Sequence, residues 1–205
     1  MPPRRRQPIA PLLRYALAAA RGDGPVLERA IADTRRAGWA RVALEEVALM
    51  LTLYAGYPSA IETLKTLAES WPATAPSAGE VEPETRREVG LATLARIYGP
   101  VRPQLLRGLA TLHPALAAWV IEHGYGRVLA RNRLDLRARE LVTVSLLAAG
   151  CWTRQLAAHA VGAERAGATR AELSAALAAG AAAVADPRIP RTPRRVRPGT
   201  ARGRR

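Results

Sequence analysis

Glu140 and His159 are the residues of this chain whose types and spacing best suit chemistry. They sit on opposite arms of a stretch, residues 134–172, that reads LDLRARELVTVSLLAAG, then CW, then TRQLAAHAVGAERAG, then TRAE. With a turn at 150–153, Glu140 stands ten residues before it and His159 six after it. The offset of four residues is about 6 Å along a helix axis, which two long polar side chains close. An imidazole takes and gives a proton at neutral pH, and a carboxylate beside it fixes its orientation. The pair therefore suits general acid/base work, with a buried structural tie across the hairpin as the alternative.

Other candidates surround this pair. Cys151 precedes the second arm, where the positive end of a helix favours a thiolate; a small buried hydrophobe is the alternative, and the preferred one. Gln155 lies one helical turn before His159 and can hydrogen-bond it or a ligand. Arg131, Arg137 and Arg139 can grip substrate carboxylates through two-pronged hydrogen bonds, or form a solvated face. Glu122, His123 and Tyr125 flank a helical break expected at 124–126 and border a pocket there. His113, before Pro114, reads as a helix start. Tyr54, Gly56 and Tyr57 in YAGYP pack at a site mouth or end a helix. The sequence holds no His-Glu-X-X-His, no phosphate loop and no Gly-X-Ser-X-Gly elbow, so neither a metal set nor a cofactor is expected.

The elements that carry these residues read as helices. Leu134, Leu136, Leu141, Val144, Leu147 and Ala148 draw an apolar stripe at mixed three-and-four spacing. Asp135 and Thr153 are expected to cap the two arms. Gly167 stops the second arm, and Thr169 with Glu172 forms a capping box for a third helix. Earlier helices are expected at 11–21, 25–37, 41–55 and 58–71. A Pro, Ala, Ser and Gly-rich linker from Pro72 follows, then helices from 82 to 99 and 100 to 112 and a further one broken at the glycines. RRAGWARVALEEV around Gly38 resembles ERAGATRAELSAAL around Gly167, so the two halves look like a duplication with an offset of 129 residues. That register sets Ala30 opposite His159 and Pro11 opposite Glu140. The first copy lacks the polar pair. The chain thus divides into an N-terminal helical half-repeat at 1–78, a helical domain at 79–186 and a disordered Arg-rich tail at 187–205.

Composition agrees with an all-α protein. Hydrophobic residues make up 49% of the 205 and aromatics 4%, with no Phe, so the core is built from Ala, Leu and Val in closely packed helices. Period-2 runs are lacking. The net charge is +14, but Arg4–Arg6 and the eight arginines from Arg188 onward carry most of it. Nucleic acid is therefore a partner only through those tails. A single cysteine precludes an intrachain disulfide and fits a reducing, cytoplasmic setting. Nothing in the chain is long and apolar enough to span a membrane.

The motifs YGRVLARNRLDLRARELVTVSLLAAG, QLAAHAVGAERAGATRAEL and YAGYPSAIETL resemble the carboxymuconolactone decarboxylase family, the superfamily that also holds the alkylhydroperoxidase AhpD. In the usual family order the Tyr-Ala-Gly segment follows the Glu and His helices, whereas here it precedes them. The resemblance implies an AhpD-like helical bundle that assembles into homo-oligomers, trimers or hexamers, and it sets Glu140 and His159 on the family's Glu and His positions. It implies a cofactor-free lyase acting on a small carboxylated lactone-type substrate. The Cys-X-X-Cys positions of the peroxidase branch fall on Trp152 and Gln155, which leaves peroxiredoxin activity only through Cys151. A non-catalytic helical scaffold whose basic tails bind an anionic partner is the reading from a different class.

Overall fold

The structure, a computed structural model, describes residues 6–73 and 79–185. The expected tail at 187–205 and the middle of the expected linker lie outside them. Every regular element among the described residues is helical: α1 (Ile9–Arg21), α2 (Gly24–Arg36), α3 (Arg41–Tyr54), α4 (Tyr57–Ser70), α5 (Arg86–Tyr98), α6 (Arg102–Leu112), α7 (Pro114–Trp119), a π-helical segment (Val120–Val128), α8 (Leu136–Ala149), α9 (Thr153–Arg165) and α10 (Arg170–Ala185), with short 3-10 turns ahead of α5 and α6.

Helix α8 is the hub. It packs against α1, α3, α9 and α10, and every residue from Arg137 to Leu147 is buried. A helix covered on all sides needs no single apolar stripe. One hydrophobic cluster runs through it, from Ile9, Leu12 and Leu44 to Leu141, Val144 and Ala176.

The duplication is visible in the backbone. Helices α2 and α9 are each 13 residues long and begin 129 positions apart, as do α3 and α10. Their ends are alike: Gly38 and Gly167 have φ of 86° and 87°, and Trp39 N donates to Thr34 O at 3.2 Å as Ala168 N donates to Ala163 O at 2.9 Å. Both are glycine stops in the left-handed conformation. The fold is an all-α bundle of two degenerate helical repeats.

Asp135 caps α8, accepting from Ala138 N at 2.9 Å, and Thr169 and Glu172 form the reciprocal capping box. Three expectations are corrected. Thr153 does not cap α9; it is the first helical residue, and Trp152 holds the cap position without a side-chain capping bond. The segment around 124–126 does not break but continues as the π-helix, with Leu129 N donating to Gly124 O at 2.9 Å. Gly126 and the facing Gly90 of α5 serve close packing: a β-carbon on Gly126 would overlap Arg86 O, and one on Gly90 would overlap Ile121 O. Cys151 is exposed, not buried, because it takes the left-handed turn position between α8 and α9, φ 57°.

Candidate active site

Helices α8 and α9 bring Glu140 and His159 together. His159 Nδ1 lies 2.8 Å from Glu140 Oε2; the carboxylate is fully buried and the imidazole 5% exposed. Space for this contact depends on Gly162, one turn after His159, whose β-carbon would stand 2.7 Å from Glu140 Oε2 and 2.7 Å from Ile97 Cγ2. The other carboxylate oxygen, Oε1, is buried with no hydrogen-bond partner among the described residues.

The second ring nitrogen meets two tyrosines. His159 Nε2 is 3.3 Å from the Tyr98 hydroxyl and 3.3 Å from the Tyr125 hydroxyl, and those hydroxyls are 2.7 Å apart. Tyr125 stacks parallel to the imidazole while Tyr98 meets it edge-on. Tyr98 ends α5, and Tyr125 is set by the π-helix, a geometry frequent at functional sites. Burial pushes both phenols above the ordinary tyrosine value, since it disfavours a phenolate. They remain protonated donors at neutral pH.

His159, Tyr98 and Tyr125 form one wall of a cavity of about 820 Å³. Its other walls include Leu53, Leu105, Leu109, Leu116, Trp119 and Leu146, while Tyr54, His123, Trp152 and Gln155 add polar edges. Tyr54 hydrogen-bonds Thr143 Oγ1 at 3.0 Å. Burial first, then Arg127 and Arg86, lower His123 below the ordinary imidazole value, so it enters the cavity wall uncharged. No Arg or Lys is among the lining residues.

Of the sequence candidates, His159, Gln155, His123, Tyr125 and Tyr54 line the cavity, and Glu140 reaches it only through His159. Cys151 is not among the lining residues, although its neighbours Gly150 and Trp152 are. Tyr57 is 60% exposed at the start of α4 and does not line the cavity. The arginines are engaged elsewhere and do not form a solvated face, all three being buried. Arg131 Nε donates to Glu46 Oε1 at 2.9 Å, Arg139 donates to Glu46 Oε2 at 3.0 Å and to Arg131 O at 2.8 Å, and Arg137 donates to Glu172 at 2.5 Å. Burial lowers the Arg139 pKa while Glu46 opposes that shift. Among the described residues no three His, Cys, Asp or Glu side chains gather as a metal site, and no helix is long and apolar enough to cross a membrane.

Residues 114–192 match the family model of the Carboxymuconolactone decarboxylase family. The matched span holds Tyr125, Glu140 and His159 but leaves out Tyr98, which α5 adds from outside it. No curated protein matches the chain.

Proposed function

We propose that this protein is a cofactor-free acid/base enzyme, a lyase that removes a carboxyl group from a small lactone-type substrate, with His159 as the proton-transfer group. The observation that carries this reading is the hydrogen-bonded series from Glu140 through His159 to the Tyr98 and Tyr125 hydroxyls, closing one wall of an apolar cavity. A carboxylate at Glu140 accepts from Nδ1–H, which turns the Nε2 lone pair toward the cavity wall. The two phenols hold two protons: one bridges the hydroxyls and the other goes to Nε2.

When the bond to the carboxyl group breaks, carbon dioxide leaves and the electron pair passes into the conjugated carbonyl as an enolate. Tyr98 or Tyr125 turns its proton to the enolate oxygen, the kind of donor that stabilises charge as it develops. A proton taken from solvent onto Nε2 is then delivered to carbon, and Glu140 stabilises the imidazolium that carries it. An apolar wall favours this step because spread-out charge tolerates low polarity better than a localised carboxylate does. With the three arginines engaged in ion pairs, no Arg or Lys among the described residues lines the cavity to anchor a carboxylate. The substrate this reading favours therefore carries only the carboxylate it loses, on an otherwise apolar body. Leu112 and Trp119, 74% and 67% exposed near the cavity, support a homo-oligomer as the working assembly.

The test is turnover of a carboxymuconolactone and of monocarboxylated lactones by the wild type and three variants. His159→Ala is expected to lower kcat by about 10²–10⁴-fold and Tyr98→Phe by about 10²-fold, while Cys151→Ser leaves it unchanged. Dependence on Cys151 instead would replace this reading with the thiol-peroxidase one.

A further inference from the structure

The duplication creates a second cleft. Between α1, α2 and α10 lies a depression of about 380 Å³ whose lining includes Leu17, Ala18, Arg21, Asp23, Val26 and Ala30. Each of these stands 129 positions before a residue of the His159 cavity: Leu146, Leu147, Gly150, Trp152, Gln155 and His159. The cleft is the first repeat's counterpart of the candidate active site, with Ala30 in place of the imidazole. It has lost the acid/base group and gained charge.

Its cations come from two helices. Arg14 on α1 and Arg29 on α2 line the cleft and make no hydrogen bond or ion pair with any described residue. The carboxylates nearby are already engaged: Asp33 pairs with Arg36, and Asp23 caps α2 by accepting from Val26 N at 3.2 Å. Arg21, itself engaged with a neighbour, adds a third guanidinium at the end of α1. Ala18, Ala30, Ala179 and Ala183 give the cleft an apolar floor. The lining sets the three guanidiniums against the carboxylates of Asp23 and Asp33, a positive balance, and an oxyanion between Arg14 and Arg29 meets it while accepting paired hydrogen bonds.

We propose that this cleft is a second binding site, non-catalytic, for a small monocarboxylate with a short apolar chain, its head between Arg14 and Arg29 and its chain over the alanine floor. The site does not rest on the chemistry proposed at His159, and it accounts for what the first repeat keeps after losing the polar pair.

The experiment is calorimetric titration of the full chain with hexanoate and, separately, with hexanol. Hexanoate is expected to bind saturably and hexanol far more weakly. Arg14→Ala with Arg29→Ala, both at exposed positions, should weaken hexanoate by about tenfold or more. Ala182→Trp, a substitution at an exposed lining residue, should block it by filling the cleft, and His159→Ala should leave it intact. Absence of saturable hexanoate binding overturns the proposal. So does equal binding of hexanol, indifference to the arginine pair, or loss of binding in His159→Ala, which would move the ligand to the apolar cavity.

Discussion

Replacing Gly162 by Ala tests how the acid/base pair is held, with one methyl group. In α9 the change alone favours the helix by about 1 kcal/mol. Here the new carbon would lie 2.7 Å from both Glu140 Oε2 and Ile97 Cγ2, and neither neighbour has solvent to move into, since both are fully buried. Overpacking costs about 1–3 kcal/mol, and pushing Oε2 off His159 leaves a carboxylate with neither oxygen paired, about 1–3 kcal/mol more. The net is a loss of about 1–5 kcal/mol, or about 2–4 °C in Tm for each kcal/mol in a chain of this size. Gly108→Ala is the control: its β-carbon meets nothing within 4 Å in exposed α6, so it should gain up to about 1 kcal/mol. Denaturant unfolding of both variants, with turnover measured on the folded protein, reads the difference. If Gly162→Ala proves as stable and active as Gly108→Ala, the close packing that positions Glu140 is refuted.

The buried ion cluster predicts a large effect: Glu46→Ala leaves the Arg139 guanidinium buried without its carboxylate and Arg131 with only Glu80, at 3.5 Å, and should cost about 3–5 kcal/mol in urea unfolding. Tyr98 and Tyr125 are held above the ordinary tyrosine value by burial, so the unfolded chain releases those protons first. Their contribution is level below about pH 10 and falls above it by about 1.4 kcal/mol per pH unit for each phenol, until the folded-state value is reached. Tyr125→Phe should flatten that alkaline slope in unfolding experiments. Cys151→Gly should stabilise the chain by about 1 kcal/mol in thermal melting, since a left-handed backbone costs a residue with a β-carbon about that much.

The helix register made Glu140 and His159 legible as neighbours because both arms are regular and the turn between them is short. The repeat was legible for a similar reason: the stops at Gly38 and Gly167 rest on local backbone conformation. Tyr98 was not, since it joins His159 across 61 residues and nothing near ARIYG marks it. Glu46 was hidden likewise, 85 residues from Arg131, so the arginines read as substrate ligands or a solvated face. The Gly124 and Gly126 pair read as a break because the backbone of α5, which needs Gly126 for its approach, lies far away in sequence. Burial of Cys151 was the expectation for an unpaired thiol, and turn geometry overrode it.

The most direct measurement is turnover of a monocarboxylated lactone in heavy water by the wild type and by His159→Gln, with the product's isotope content read by mass spectrometry and the fold checked by circular dichroism. The account predicts one carbon-bound deuterium, set where the enolate is protonated, in the wild-type product, and a rate lowered by about 10²–10⁴-fold in a folded His159→Gln variant. Product formed by His159→Gln at the wild-type rate would contradict it.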